Sequence, residues 1–76
     1  MIYVLEKEGE KKIEVHFPKQ IEEDVWVVEQ DDFEFRESTT YTFDDEEQAM
    51  FFLETHIESF KQDGFLVHLE SPLTDD

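Results

Sequence analysis

The chain has 76 residues, room for one small domain around one modest core. Its 22 Asp and Glu against 6 Lys and Arg give a formal net charge of −16, which opposes direct binding to phosphate backbones or anionic membranes and points to basic partners. The absence of cysteine excludes a disulfide framework, a thiolate metal site and a cysteine nucleophile.

Charge of this density, with a mean hydropathy of −0.63, leans toward disordered compositions. Leu, Ile, Val and Phe nevertheless make up 23 of the 76 residues. That share exceeds the roughly 20 percent below which chains stay unfolded, so a folded domain is expected. No apolar run approaches the ~18 residues of a membrane span. Met1–Leu5 turns charged at Glu6, which does not read as a signal peptide, and a soluble cytoplasmic protein is expected.

In chain order, Ile2 and Val4, then Ile13, Val15 and Phe17, sit at strand period on either side of a polar connection from Glu6 to Lys11, predicting a hairpin. Pro18 closes the second strand, and Lys19 to Asp24 reads as a polar connection containing Ile21. Val25-Trp26-Val27-Val28 predicts a third strand. Its near-continuous apolarity implies a central strand covered on both sides or a face carrying a contact, with Asp31-Asp32 as its break. Phe33 and Phe35, then Tyr41 and Phe43, alternate with polar residues, predicting two more strands or one long bent one.

The period then changes. Asp44 with Glu47 three residues later forms a capping box, and a helix is expected from about Asp45 to Asp63. At about 100° per residue, Ala49, Leu53, His56, Ile57 and Phe60 share one face, with Met50 and Phe52 at its edges. Glu47, Glu54 and Glu58 fall opposite, and Phe51 lies among them. Gly64 suits the position just past the helix, Phe65 to Leu69 predicts a last strand, and residues 71–76 read as a flexible tail. The expected architecture is therefore one α+β domain over residues 1–70: a two-layer fold of five or six short, mainly antiparallel strands with one long helix across the sheet.

Chemistry is harder to find. The hydroxyls Ser38, Thr39, Thr40, Thr42, Thr55, Ser59, Ser71 and Thr74 sit in no catalytic context, and two isolated glycines cannot form a phosphate-binding loop. His16, His56 and His68 lack the spacing of a ligand pair on one element, and no acidic run follows the calcium-loop pattern. The expectation is a non-enzymatic protein with no cofactor and no metal. His56, on the apolar helix face, is the titratable group expected to be desolvated, with its pKa lowered.

The acids carry the remaining signal. From Gln20 to Phe60 there are 14 acids and one base, Arg36, so this stretch holds −13 of the total charge. Glu47, Glu54 and Glu58 on the helix, with Glu29, Asp31, Asp32 and Glu34 on the sheet side, are the predicted partner-binding residues. Phe51 is the predicted aromatic anchor inside the helix acids. Alternate strand residues and successive helix turns recur at about 6 to 7 Å, close to the phosphate interval of a nucleic-acid strand.

In charge and size the chain resembles small acidic proteins that imitate DNA, such as phage and bacterial inhibitors of nucleases, restriction systems, repair enzymes and CRISPR effectors. That resemblance implies occupation of a basic groove on a nucleic-acid-binding protein. Separately, Tyr41-Thr42-Phe43 followed by Asp44 through Gly64-Phe65 resembles the end of a WGR-type domain, where a strand leads into a capped helix closed by a Gly-aromatic pair. The Trp-Gly-Arg signature is missing, since Trp26 precedes Val27 and Val28, and no residue role is carried over.

Two main functional readings follow, beside a third class, a metal-dependent activity through scattered carboxylates and His16 or His68. One is a binding module for a basic protein surface, as an inhibitor or DNA mimic. The other is a structural or assembly subunit, homo-oligomeric through the Val25–Val28 strand or an unpaired sheet edge, whose charge serves solubility.

Overall fold

A computed structural model of the chain describes residues 1–71 and contains a six-stranded antiparallel sheet with one helix packed on it. The predicted tail from Pro72 onward lies outside the described residues. β1 (Ile2–Lys7) and β2 (Glu10–His16) form the expected hairpin, joined by Glu8-Gly9. Both turn residues have positive φ, 56° and 78°, the combination that matches a two-residue turn to the twist of its strands, so glycine at the second position removes strain. The strands run further into the turn than the polar stretch Glu6 to Lys11 suggests, with an irregularity between Leu5 and Glu6.

The segment expected to be a polar connection is instead a strand. β3 (Lys19–Glu22) pairs with β4 (Val25–Asp32), whose other half pairs with β2 along the same edge. β2 and β3 thus act as one long strand bent at Phe17-Pro18. β4 does not break at Asp31-Asp32 either. It pairs through Asp32 with β5 (Glu37–Phe43), and Phe33 to Arg36 form the connecting turn, not a strand. The reason is local: the Asp32 carboxylate accepts hydrogen bonds from the amides of Glu34 and Phe35, both at 3.0 Å, and Arg36 adopts φ 55°. The alternation of Phe33 and Phe35 is therefore not strand pleat.

α1 (Glu46–Gln62) occupies nearly the predicted span, but its cap is shifted by one residue. Asp45, not Asp44, is the N-cap, its carboxylate accepting from the Gln48 amide at 2.8 Å. At the other end Gly64 takes φ 95°, and the Phe65 and Gly64 amides donate to the Phe60 and Lys61 carbonyls at 3.1 and 3.0 Å. Phe60 and Phe65 meet edge to face at 5.2 Å across this closure, the apolar contact that accompanies such a helix end. β6 (Leu66–Glu70) then pairs with β1, so the helix leads from one edge strand of the sheet, β5, to the other.

Leu5, Ile13, Val15 and Val28 face Ala49, Leu53 and Ile57 of the helix and form the core. Tyr41, Phe43 and Phe52 pack around it, as does Trp26. Val27 and Val28 are both buried, the second under the helix and the first on the opposite face. The apolarity of Val27 and Val28 is thus used inside the fold.

Candidate functional site

Because side chains alternate across a strand, the pairing divides the predicted residues between two surfaces. Gln30 faces the helix, reaching His56, so Glu29 and Asp31 project from the face that the helix does not cover. Glu47, Phe51, Glu54 and Glu58 project from the exposed side of the helix, on the other side of the sheet. The eight residues do not form one surface.

On the open face, carboxylates meet partners from the chain itself. Glu14 stands 3.1 Å from Lys11, Glu6 3.4 Å from His68, and Asp31 3.4 Å from His16 while accepting from the Ser38 hydroxyl at 2.8 Å. The histidine contacts are charged only when the ring is protonated. Asp32 holds the β4–β5 turn, and Glu34 in that turn approaches Lys12 at 3.8 Å. Three of the four predicted sheet-side residues therefore have intramolecular roles, and Glu29 alone among them is exposed without one among the described residues.

Glu14 pairs with Asp31 across β2 and β4, and His16 lies two residues from Glu14, so three ligand atoms gather within 4.8 Å of one another. A carboxylate–imidazole–carboxylate set of this kind suits a divalent transition metal in its donor types. Sequence spacing concealed it because Asp31 joins only through the register. Lys11 and Ser38 already engage two of its members. Beside it, a cleft of about 310 Å³ is bordered by Ile2, His16, Phe17, Lys19, Val27 and Glu29.

The helix side differs. Phe51 is 72% exposed, and no cation approaches Glu46, Glu47 or Glu54 within 4.0 Å among the described residues, while Glu58 has only Lys61 at 3.9 Å. Phe51 also borders a groove of about 540 Å³, formed by Phe43 at the end of β5 with Glu47, Gln48, Phe52 and Thr55 of the helix. Phe52 lies against Tyr41 and Phe43, with ring centroids 4.6 and 5.2 Å away. Its ring thereby forms the inner wall, and Phe51 the outer lip. The aromatic character of the flank was legible in Phe51, out of place among acids. The parts played by Phe43 and Phe52 required knowing that β5 ends beside the first turns of the helix.

Behind this flank, His56 stacks on Phe52 at 4.8 Å and meets Phe60 edge to face at 4.9 Å, with Nε2 2.6 Å from Oε1 of Gln30. Burial among these rings holds its pKa below the ordinary 6.5, as expected, because the charged form loses solvation there. In the neutral tautomer that carries its proton on Nε2, His56 donates to Gln30 Oε1 and links helix to sheet.

The chain matches no known protein family, no curated protein and no solved structure.

Proposed function

We propose that this protein is a non-enzymatic binding module that engages a basic protein surface through the exposed flank of its helix. One observation carries the reading: Glu47 and Glu54 flank an exposed aromatic beside an apolar groove with no cation within 4.0 Å among the described residues, whereas Glu6, Glu14 and Asp31 on the open face each contact a lysine or histidine of the chain. Acids in such a ring steer a cationic partner, and exclusion of water from Phe51 supplies affinity. The distribution of acids over opposite sides of the sheet favours a local contact of this kind over imitation of a long duplex. Inhibition of a nucleic-acid-binding protein stands as the specific form this contact would take if the partner's basic surface is its nucleic-acid site.

The test is to immobilise the protein, pass cell extract over it at low ionic strength, and elute with salt. A variant carrying Glu47→Gln, Glu54→Gln and Glu58→Gln runs in parallel. The expected result is a discrete basic protein retained by the wild type alone and released as salt screens the contact. An identical polyanion background on both columns would refute the reading.

A further inference from the structure

Edge strands expose unpaired main-chain groups, and folds blunt them with lysine, proline, bulges or short length. β5 has none of these. Its seven residues, Glu37 to Phe43, contain neither lysine nor proline and are rich in threonine and aromatics, which favour strand. It pairs with β4 through seven successive partners without a register shift, and β4 is its one partner strand among the described residues. The edge is seven residues long with an unbroken register, and five of its residues are exposed.

Its position adds a second feature. β5 ends at Phe43, which lines the groove with Phe51 and Phe52, so a strand laid beside β5 runs alongside a residue of the groove. Immediately beyond Phe43 come Asp44, Asp45, Glu46 and Glu47, the most concentrated acidic run in the chain. Main-chain complementarity, an apolar socket and a negative rim therefore occur side by side.

We propose that β5 is the docking edge for an extended segment of a basic protein, which adds a strand to the sheet. One apolar side chain of the segment enters the groove between Phe43, Phe51 and Phe52. Lysine or arginine two residues to either side projects from the same face of the added strand and meets the acids of the helix start. This inference rests on the reading of the helix flank as a surface for a basic partner, and names how that partner binds. Charge complementarity selects the occupant. A second copy of this chain would set −16 against −16, with both acidic rims at the junction, whereas a cationic segment neutralises them.

The probe is a fluorescein-labelled nine-residue peptide, Lys-Thr-Lys-Thr-Phe-Thr-Lys-Thr-Lys, whose lysines and phenylalanine share one strand face. Its controls are a peptide of the same composition with the four lysines clustered at one end, and the patterned peptide N-methylated at alternate amides to block strand pairing. Fluorescence anisotropy at low salt should show the patterned peptide binding at least ~10-fold more tightly than either control, and Phe51→Ala should remove at least ~10-fold of that affinity. Equal affinities for all three peptides would overturn strand addition while leaving a charge-driven flank. No binding by any peptide, or binding unchanged by Glu47→Gln with Glu54→Gln, would overturn both. A dimer in sedimentation velocity that the peptide fails to dissociate would assign the edge to a second copy instead.

Discussion

Glu14, Asp31 and Glu6 on the open face each stand 3.1 to 3.4 Å from a lysine or a histidine, whereas Glu47 and Glu54 on the helix stand beside Phe51 with no such neighbour among the described residues. Both surfaces are acidic, so net charge alone does not distinguish them. The difference lies in what the carboxylates already touch. Exposed ion pairs add only about 0 to 1 kcal/mol to stability, but the contacts occupy the groups involved, with Lys11 neutralising Glu14 and the histidines neutralising Asp31 and Glu6 only when protonated. Where the chain supplies no cation, negative potential is left for another molecule, and an apolar groove in the same place gives that molecule something to bury.

The same contrast holds across the helix itself, between its covered and exposed sides, and substitutions can break it. The largest effect is expected for Leu53→Ala on the covered side. Leu53 is fully buried, and its truncation should cost about 2–5 kcal/mol, a large part of the ~5–15 kcal/mol that stabilises a typical domain. Urea unfolding measures this. Next comes the helix start, where Asp45→Ala should cost about 1 kcal/mol by removing the acceptor for the Gln48 amide, with Asp44→Ala costing much less. Equal losses in thermal unfolding would return the cap to Asp44.

A pH-dependent term should follow from His56. Its folded-state pKa is lowered, so its neutral form is the one the fold favours. The associated stability is complete above the unfolded value of 6.5 and is lost as pH falls through the lower folded value. Comparing wild type with His56→Gln isolates the term from screening and carboxylate protonation. The stability advantage of wild type should be constant above pH 6.5 and should shrink below it. Ring NMR should place the His56 midpoint below 6.5, and an ordinary midpoint would remove this account. The smallest stability change belongs to Phe51→Ala, two positions from Leu53 but on the exposed side, and should stay within about 0.5 kcal/mol. A larger loss would place Phe51 in the packing of the fold and weaken its assignment to a partner.

Several features were legible in the sequence because local physics decides them. The helix declared itself by apolar period and by Gly64 beyond its end, and Phe51 by being the one aromatic out of phase. The cap was ambiguous in principle: Asp44 precedes Glu47 by three residues and Asp45 precedes Gln48 by three, so the same signature occurs in two adjacent frames. β3 has no alternation to read, since all four of its residues are exposed and only pairing with β4 makes it a strand. The turn after Asp32 carried a false signal in Phe33 and Phe35, with the carboxylate bonds of Asp32 overriding the pattern.

The site was legible in part for the same reason. Composition and helix period identify the acids of the flank, but the division between open and helix faces depends on register. That Glu29 and Asp31 point away from Glu47 follows from β4 turning Gln30 toward His56, a contact between residues 26 apart in sequence. The groove likewise joins the end of β5 to the first turns of the helix and exists only in three dimensions.

The most direct test of the helix flank as the binding surface is amide NMR mapping of the 15N-labelled protein titrated with the patterned cationic peptide. The account predicts that perturbed amides cluster along β5 and the first half of α1, around Phe43, Glu47 and Phe51, and that the open face is silent. Perturbations centred on Glu14, Glu29 and Asp31, or spread evenly over all acidic residues, would contradict it.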